Sequence, residues 1–208
     1  MSLRERKKLR TRETISNAAI ELFLKHGFDQ VSITQVADAA EVSRRTLFAY
    51  FPTKEDLVIE RFADHETESG RVVRARADGV TPVAALREHF LAGLAARDPI
   101  TGLNDVPEIF GIYDLVLRTP SLTARMLQFN GNGQRELAEA LTETAGLTPL
   151  VARLAAAPVV SVLWTLALAN HERIASGTSA DDCYEHAVEA AAQGFSLLED
   201  GLGSVGLR

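Results

Sequence analysis

The segment that most constrains this chain is residues 32–51, which run SITQVADAAEVSRRTLFAYF. Ser32, followed three residues later by Gln35, forms a capping box, so a helix is predicted to begin at Ile33 and end near residue 40. Ser43 is a second N-cap residue and predicts another short helix directly after it. The segment therefore predicts two short helices joined by a tight turn.

The second of these helices, residues 44–51, separates apolar and basic side chains. Leu47 and Phe51 lie four residues apart and are predicted to face inward. Arg44 and Arg45 stand at the helix start and are left toward the outside. Two short helices at this spacing form a helix-turn-helix, in which the second helix enters the major groove of DNA.

The chain before this segment predicts a supporting helix over about residues 10–26, with apolar residues at helical spacing and Gly27 at its end. The three helices make an N-terminal unit, and we predict a DNA-binding domain over residues 1–54. Residues 55–208 are predicted to form a larger helical domain. No stretch is typical of a strand, so the fold class is all-α with about nine helices.

The larger domain is divided by prolines and caps into six predicted helices. Asn130–Gly133 (NGNG) predicts either a break or a strained helix, and Pro158 predicts a kink or an end near Ala157. The tail, residues 201–208, is predicted to be disordered. The predicted helices cover about residues 54–77, 82–98, 106–118, 121–144, 149–176 and 179–200.

Charge is distributed unevenly along the chain. Residues 1–54 hold 10 basic and 6 acidic residues, a balance of +4, while residues 55–208 hold 12 and 22, a balance of −10. A basic start suggests an end that faces nucleic acid, and residues 1–12 are predicted to reach phosphates. From charge alone, a solvated tail is an equally good interpretation.

The remaining composition points to a soluble cytoplasmic protein. A single cysteine, Cys183, excludes an intramolecular disulfide. The N-terminus is charged and is not a secretory leader. The longest uncharged run, residues 154–169, is short of a membrane span and favours a buried helix, so no membrane partner is expected.

Residues 10–57 resemble the TetR family of transcriptional regulators. The resemblance implies a homodimer in which the last two long helices, about 149–176 and 179–200, pack as a four-helix bundle. It also implies a ligand cavity in each body and a palindromic double-stranded DNA operator as partner. The matching residues are Arg12, Ile15, Ala18, Ala19, Leu22, Phe23, Gly27, Phe28, Ser32, Ile33, Val36, Ala37, Ala40, Val42, Ser43, Thr46, Leu47, Tyr50, Phe51, Lys54 and Leu57.

The resemblance also implies roles for the DNA-facing side chains. Arg44 and Arg45 fall on base-contacting positions; alternatively both clamp phosphates or are solvated. Tyr50 and Lys54 match phosphate-contacting positions, although Tyr50 is also compatible with half-buried packing and Lys54 with a plain surface charge. The remaining implied DNA contacts are Thr46, near bases and phosphate, and Ser32 and Thr34, at phosphate.

Two residues depart from the family pattern. Phe48 stands where the family usually has tyrosine; its ring can press on a thymine methyl, but the hydroxyl is lost. Glu41 replaces the frequent glycine of the turn, and a left-handed conformation there would cost roughly 1 kcal/mol.

The body supplies candidate ligand contacts, although aromatic and methionine residues at helical spacing are usually core. Tyr113, Gln128 and His171 are the polar candidates; for His171, a surface position near a helix end is the favoured alternative. No concentrated basic site is visible for a phosphate, so an apolar or aromatic ligand is predicted, with a lipid or acyl-coenzyme A left open. The full candidate set is Phe90, Phe110, Tyr113, Leu117, Met126, Gln128, Phe129, Trp164 and His171.

Enzyme chemistry has little support in this sequence. The five histidines lack zinc-like spacing, and there is no nucleophile motif, phosphate loop or dinucleotide fingerprint, so no catalytic residue, metal or cofactor is predicted. We therefore predict a ligand-responsive dimeric repressor, with helix 54–77 moving with helix 106–118 as the lever. Two alternatives are an enzyme or carrier with an incidental motif, and a regulator that needs no ligand.

Overall fold

The structure, a computed structural model, describes residues 2–202, and this part of the chain contains helices and loops but no strand. It holds nine α-helices of seven or more residues and one single-turn helix, which confirms the predicted all-α class and helix count. Residues 203–208, most of the tail with predicted disorder, lie outside the described residues.

The helices follow the caps and prolines of the sequence. Two 3₁₀ segments, Glu60–His65 and Pro99–Thr101, lie between them. The α-helices are α1 (Leu3–His26), α2 (Ile33–Ala39), α3 (Arg44–Tyr50), α4 (Asp56–Ile59), α5 (Glu68–Ala75), α6 (Pro82–Ala96), α7 (Pro107–Arg118), α8 (Pro120–Ala145), α9 (Pro149–Ala175) and α10 (Tyr184–Leu202).

The chain divides into two compact units. The first unit contains the residues up to Ala63 together with Gly111–Leu127, and the second unit contains Asp64–Phe110 and the chain from Gln128 onward. The first unit extends past residue 54 because the side chains of α4 are buried in it. The functional boundary at residue 54 stays a prediction.

Each unit has its own apolar interior. In the first unit the fully buried side chains include Ile15, Phe23, Leu47, Phe51 and Leu57. In the second unit they form one continuous cluster, which includes Leu94, Leu103, Leu137, Ala156 and Phe195.

The predicted connector helix over residues 54–77 is wrong. The segment is α4, then the 3₁₀ segment Glu60–His65, then α5. Three consecutive α4 residues are buried, which a helix with a single apolar face cannot achieve. Thr67, a weak helix former, lies at φ −102° and ψ 3°, so the α-helix restarts only at Glu68.

Two long helices continue through residues that disfavour helix. The helix α8 runs unbroken through Gly131 and Gly133. The helix α9 runs unbroken through Pro158, so the predicted end near Ala157 is wrong. Buried side chains on both helices hold them in the core, and this packing outweighs the local propensity.

The last two helices pack closely against each other. A methyl group added at Gly194 of α10 would come within 2.9 Å of Val162 on α9, so the two helices approach closely at this glycine. The helix α10 begins at Tyr184 and not near residue 179, because Ser179 caps a turn by accepting the Asp182 amide at 3.1 Å.

Among the described residues, α9 is the one helix whose length and composition would allow it to cross a membrane. The core helix of a soluble protein can have the same length and composition, so these two properties alone do not identify a membrane span.

Gly102 is predicted to be a position that cannot accept a side chain. Its φ is 69°, and an added methyl group would lie 2.0 Å from the carbonyl oxygen of Ala167. We expect Gly102→Ala to lower the free energy of unfolding by about 3 kcal/mol or more, measured by chemical denaturation. The control is Gly131→Ala in α8, where an added methyl group meets nothing within 4 Å. This control should stabilise by about 0.5–1 kcal/mol. Equal effects of the two substitutions would contradict the assignment.

Candidate nucleic-acid interface and ligand cavity

Local hydrogen bonds build the helix-turn-helix as the sequence predicts. Ser32 accepts the Gln35 amide at 3.2 Å, and the Gln35 side chain accepts the Ser32 amide at 2.8 Å. Ser43 accepts the Thr46 amide at 3.0 Å at the start of α3. Both predicted caps are therefore confirmed, and both helices begin where the caps place them.

The turn between α2 and α3 contains a left-handed residue. Glu41 has φ 54°, the conformation for which the family's glycine is suited. The Val42 amide donates to the Ala37 carbonyl at 2.9 Å and closes the turn. The turn geometry is thus kept, at a strain cost of roughly 1 kcal/mol.

The helix α3, which we call the recognition helix, is anchored on one side and free on the other. Leu47 and Phe51 have no exposed surface, while Arg44 and Arg45 are exposed. Neither arginine has an ion pair or hydrogen bond within residues 2–202. Phe48 is 41% exposed. The arrangement presents two guanidinium groups and one aromatic ring on a helix whose other face is fixed in the core.

The hydroxyl groups predicted to contact DNA differ in their present partners. Thr34 is exposed. The Ser32 hydroxyl bonds Gln35 at 2.9 Å, and the Thr46 hydroxyl lies 2.8 Å from the Ser43 hydroxyl. These two hydroxyls complete the helix caps, so a phosphate contact would have to share them. Tyr50 is half-buried at the end of the recognition helix.

The ammonium group of Lys54 has partners within the first unit. Its ammonium group donates to the Phe28 carbonyl and stands 4.3 Å from the centre of the Phe28 ring. Burial lowers the pKa of this ammonium group. In this conformation Lys54 holds the loop after α1, because the carbonyl and the ring both attract the cation. Its contact with a phosphate stays a prediction.

Arg12, predicted only as a phosphate contact, stabilises the first unit by joining separate segments of it. Its guanidinium group binds both carboxylate oxygens of Glu60 and donates to the Tyr50 carbonyl at 3.3 Å. It also stands 4.9 Å from the centre of the Phe51 ring. The hydrogen bonds to Glu60 raise the pKa of Arg12. One side chain thereby ties α1, the end of the recognition helix and the 3₁₀ segment.

An ion pair in the first unit joins α8 to α4. Arg125 donates to Asp56 at 2.8 Å, and Asp56 also accepts the Thr53 amide at 3.0 Å. Burial alone would raise the pKa of Asp56, but the hydrogen bonds from Thr53 and Arg125 bring it below its ordinary value. No local pattern links these residues, which are 69 positions apart.

The second unit contains a cavity of about 320 Å³. Its wall is formed by α6, α8 and α9 with the segments around residues 65–69 and 98–101. Three of the nine predicted ligand contacts line it: Phe90, Phe129 and Trp164.

The structure places the other six predicted contacts outside the cavity wall. Phe110 and His171 stack on each other with ring centres 4.7 Å apart. His171 is only 4% exposed, so the favoured surface position is wrong; residue 171 lies within α9 and not at its end. Gln128 is exposed. The remaining three, Tyr113, Leu117 and Met126, belong to the first unit.

The cavity also has a polar side that the sequence analysis missed. Glu68 binds His65 at 2.9 Å and His89 at 3.0 Å. The hydrogen bond that His65 donates to the Glu68 carboxylate raises the pKa of His65. Burial raises the pKa of Glu68, but its contacts with both imidazoles bring it below its ordinary value. The spacing of His65 and Glu68 is visible in the sequence, but a continuous helix over residues 54–77 gives no reason to place the pair at a cavity.

Within residues 2–202, no group of three or more histidine, cysteine, aspartate or glutamate side chains is arranged to hold a metal ion.

Comparison with known proteins places the helix-turn-helix in a family. Residues 15–60 match the model of "Bacterial regulatory proteins, tetR family". The regulator TcmR of Streptomyces glaucescens is 31% identical over 147 residues, 70% of this chain and 65% of TcmR. The chain belongs to the TetR family. The chain therefore spans slightly less than two thirds of the length of TcmR.

Two further proteins agree with this assignment. The putative mycofactocin biosynthesis transcriptional regulator MftR of Mycobacterium tuberculosis is 28% identical over 141 residues, 68% of this chain and 69% of MftR. The structure of NalD, a repressor from Pseudomonas aeruginosa, matches with a TM-score of 0.55 and 22% identity, over 91% of this chain and 97% of NalD, and supports the fold. TcmR and MftR are named as transcriptional regulators, in agreement with the prediction that the chain is not an enzyme.

Arg12 is predicted to stabilise the first unit through Glu60. We expect Arg12→Ala to lower the free energy of unfolding by about 2 kcal/mol, because it leaves a half-buried carboxylate and the Tyr50 carbonyl unpaired. A double-mutant cycle with Glu60→Gln should give a coupling of about 1 kcal/mol, measured by urea denaturation. Arg10→Ala, an exposed neighbour, is the control and should change stability by less than about 0.5 kcal/mol. A coupling energy of zero between the two substitutions would contradict the stabilising role of the Arg12–Glu60 pair.

Proposed function

We propose that this TetR-family protein is a cytoplasmic DNA-binding transcriptional repressor, active as a homodimer on a palindromic operator and released by a small molecule. The observation that carries the proposal is the recognition helix. It holds Arg44 and Arg45 exposed and unpaired within the described residues, on a base of fully buried side chains. A rigid helix with two free guanidinium groups is suited to hydrogen bonding in a major groove.

The side chains of the recognition helix match the chemistry of base edges. An α-helix with its side chains is about 10–12 Å in diameter, which fits a major groove about 12 Å wide. Arg44 and Arg45 are assigned to guanine, whose two acceptors take a bidentate guanidinium. Phe48 is assigned to a thymine methyl group. These contacts would provide sequence discrimination.

Affinity independent of sequence would come from phosphate contacts. Tyr50 and Thr34 are proposed to contact phosphates, and Ser32 and Thr46 to do so while capping their helices. The exposed basic residues at the start of α1 add further contacts, which makes binding depend on salt. Lys54 would join them only by leaving Phe28. We assign it a lesser role for that reason.

The dimer is proposed to form through α9 and α10. Only 39% of the most apolar 18-residue stretch of α9 is buried within one chain. Three leucines of these helices are exposed: Leu150 by 59%, Leu154 by 65% and Leu197 by 73%. Exposed leucines on long neighbouring helices are typical of a surface that a second helix pair covers.

Control by a small molecule is proposed to act through α8. This helix places Phe129 in the cavity wall, and its first turns contribute Arg125 to the ion pair with Asp56. A ligand that prefers one position of α8 would shift the population between DNA-competent and DNA-incompetent dimers. This route replaces the predicted lever, because residues 54–77 are not one helix. The cavity also favours this proposal over a regulator without a ligand.

Replacing Arg44 or Arg45 is predicted to weaken operator binding. We expect each alanine variant to lose about 1–3 kcal/mol of binding free energy and to relax base preference at one position, measured by fluorescence anisotropy at fixed salt after selection of the operator from random DNA. Arg87→Ala in the second unit is the control and should bind normally. Unchanged affinity in both recognition-helix variants would refute the site.

The proposed dimer predicts a sedimentation change. The protein should sediment as a dimer at micromolar concentration, and Leu154→Glu with Leu197→Glu should convert it to a monomer, because two buried carboxylates per chain cost several kcal/mol. Leu127→Glu changes an equally exposed leucine of the first unit and should leave the dimer intact. A monomeric wild type, or a double variant that remains dimeric, would contradict the interface.

A further inference from the structure

The cavity of the second unit has an excess of acidic groups in its wall. Three carboxylates line it, from Glu66, Glu68 and Asp98, together with two imidazoles, from His65 and His89. No lysine or arginine lines it. The wall therefore contains no permanently positive side chain within the described residues.

The histidines do not cancel this charge. Glu68 uses one carboxylate oxygen for His65 at 2.9 Å and the other for His89 at 3.0 Å. Asp98 lies 3.8 Å from His65 and accepts the Ile100 amide at 3.1 Å. Even with both imidazoles protonated, three carboxylates leave a balance of −1.

Most of the remaining wall is apolar or aromatic. Phe90, Phe129 and Trp164 contribute rings, and Leu86 and Leu163 contribute aliphatic surface. Rings attract a cation through their faces, and a desolvated wall strengthens the attraction of a carboxylate for it. The same wall repels an anion. A carboxylate or phosphate ligand, such as a fatty acid or acyl-coenzyme A, would meet no lysine or arginine in the wall, and both imidazoles are already bound by Glu68.

We propose that the effector is a lipophilic cation: an aromatic or apolar body that carries one protonated amine or quaternary ammonium group. The positive group lies toward the carboxylates, and the body lies among the rings. A volume of about 320 Å³, at the lower end of the range for small-molecule sites, limits the effector to a compact molecule. That the bound cation controls DNA binding rests on the proposed function, whereas the binding of a cation in the cavity does not.

Three probes with one apolar body test the charge preference directly: phenylbutylamine, phenylbutanol and phenylbutanoate. Trp164 is the only tryptophan of the chain and lines the cavity, so its fluorescence reports occupancy without DNA. We expect the amine to bind at least about tenfold more tightly than the alcohol and the carboxylate to bind most weakly. An alcohol or carboxylate that binds as tightly as the amine would overturn the proposal.

Variants that remove one carboxylate from the wall test whether the wall causes the preference for the amine. Glu68→Gln and Asp98→Asn should each weaken amine binding about tenfold and leave phenylbutanol binding unchanged. Glu66→Gln serves as a further variant if Glu68→Gln does not fold. Glu88→Gln removes the same charge from α6 outside the wall and is the matched control. Equal amine affinity in all wall variants that fold would overturn the assignment.

The same titrations separate this inference from the proposed function. If none of the three probes changes Trp164 fluorescence at millimolar concentration, the cavity inference fails, while operator binding by Arg44 and Arg45 is unaffected. If the amine binds but the protein shows no operator affinity, the repressor proposal fails and cation binding stands.

Discussion

The position of the recognition helix depends on Phe51, a ring with no exposed surface at the end of α3. Leu47 anchors the same face one turn earlier, and Arg12 covers the Phe51 ring while binding Glu60 and the Tyr50 carbonyl. A helix of two turns has little stability of its own, so its direction is set by these contacts. The exposed arginines at its start owe their fixed placement to the buried end.

Polar contacts in this protein serve structure before they serve binding. Lys54 and Arg12 are cations near the proposed DNA surface, yet both are held by carbonyl oxygens and aromatic rings of the first unit. Arg44 and Arg45 have no such partner within residues 2–202. Arg44 and Arg45 could therefore bind DNA without losing an internal contact. Arg12 and Lys54 would first have to give up their partners in the first unit.

The second unit combines an apolar cavity with an acidic side, and its chemistry follows from a broken helix. Because residues 54–77 are not one continuous helix, the segment that carries His65 and Glu68 lies at the cavity, where Glu68 also binds His89 of α6. These contacts are part of the charge pattern from which the cation preference is inferred.

The all-α class, both caps and the inward side chains of the recognition helix could be predicted from the sequence, because caps and helical periodicity act over three or four residues. The family was predicted from the resemblance of residues 10–57. The sequence also indicated three of the cavity residues, through their size. Three features came from the folded structure alone: α9 continues through Pro158, the Lys54 ammonium group binds the Phe28 carbonyl, and the cavity has an acidic side. These outcomes depend on contacts between residues far apart in the chain, such as Arg125 and Asp56, and local pattern carries no information on such pairs.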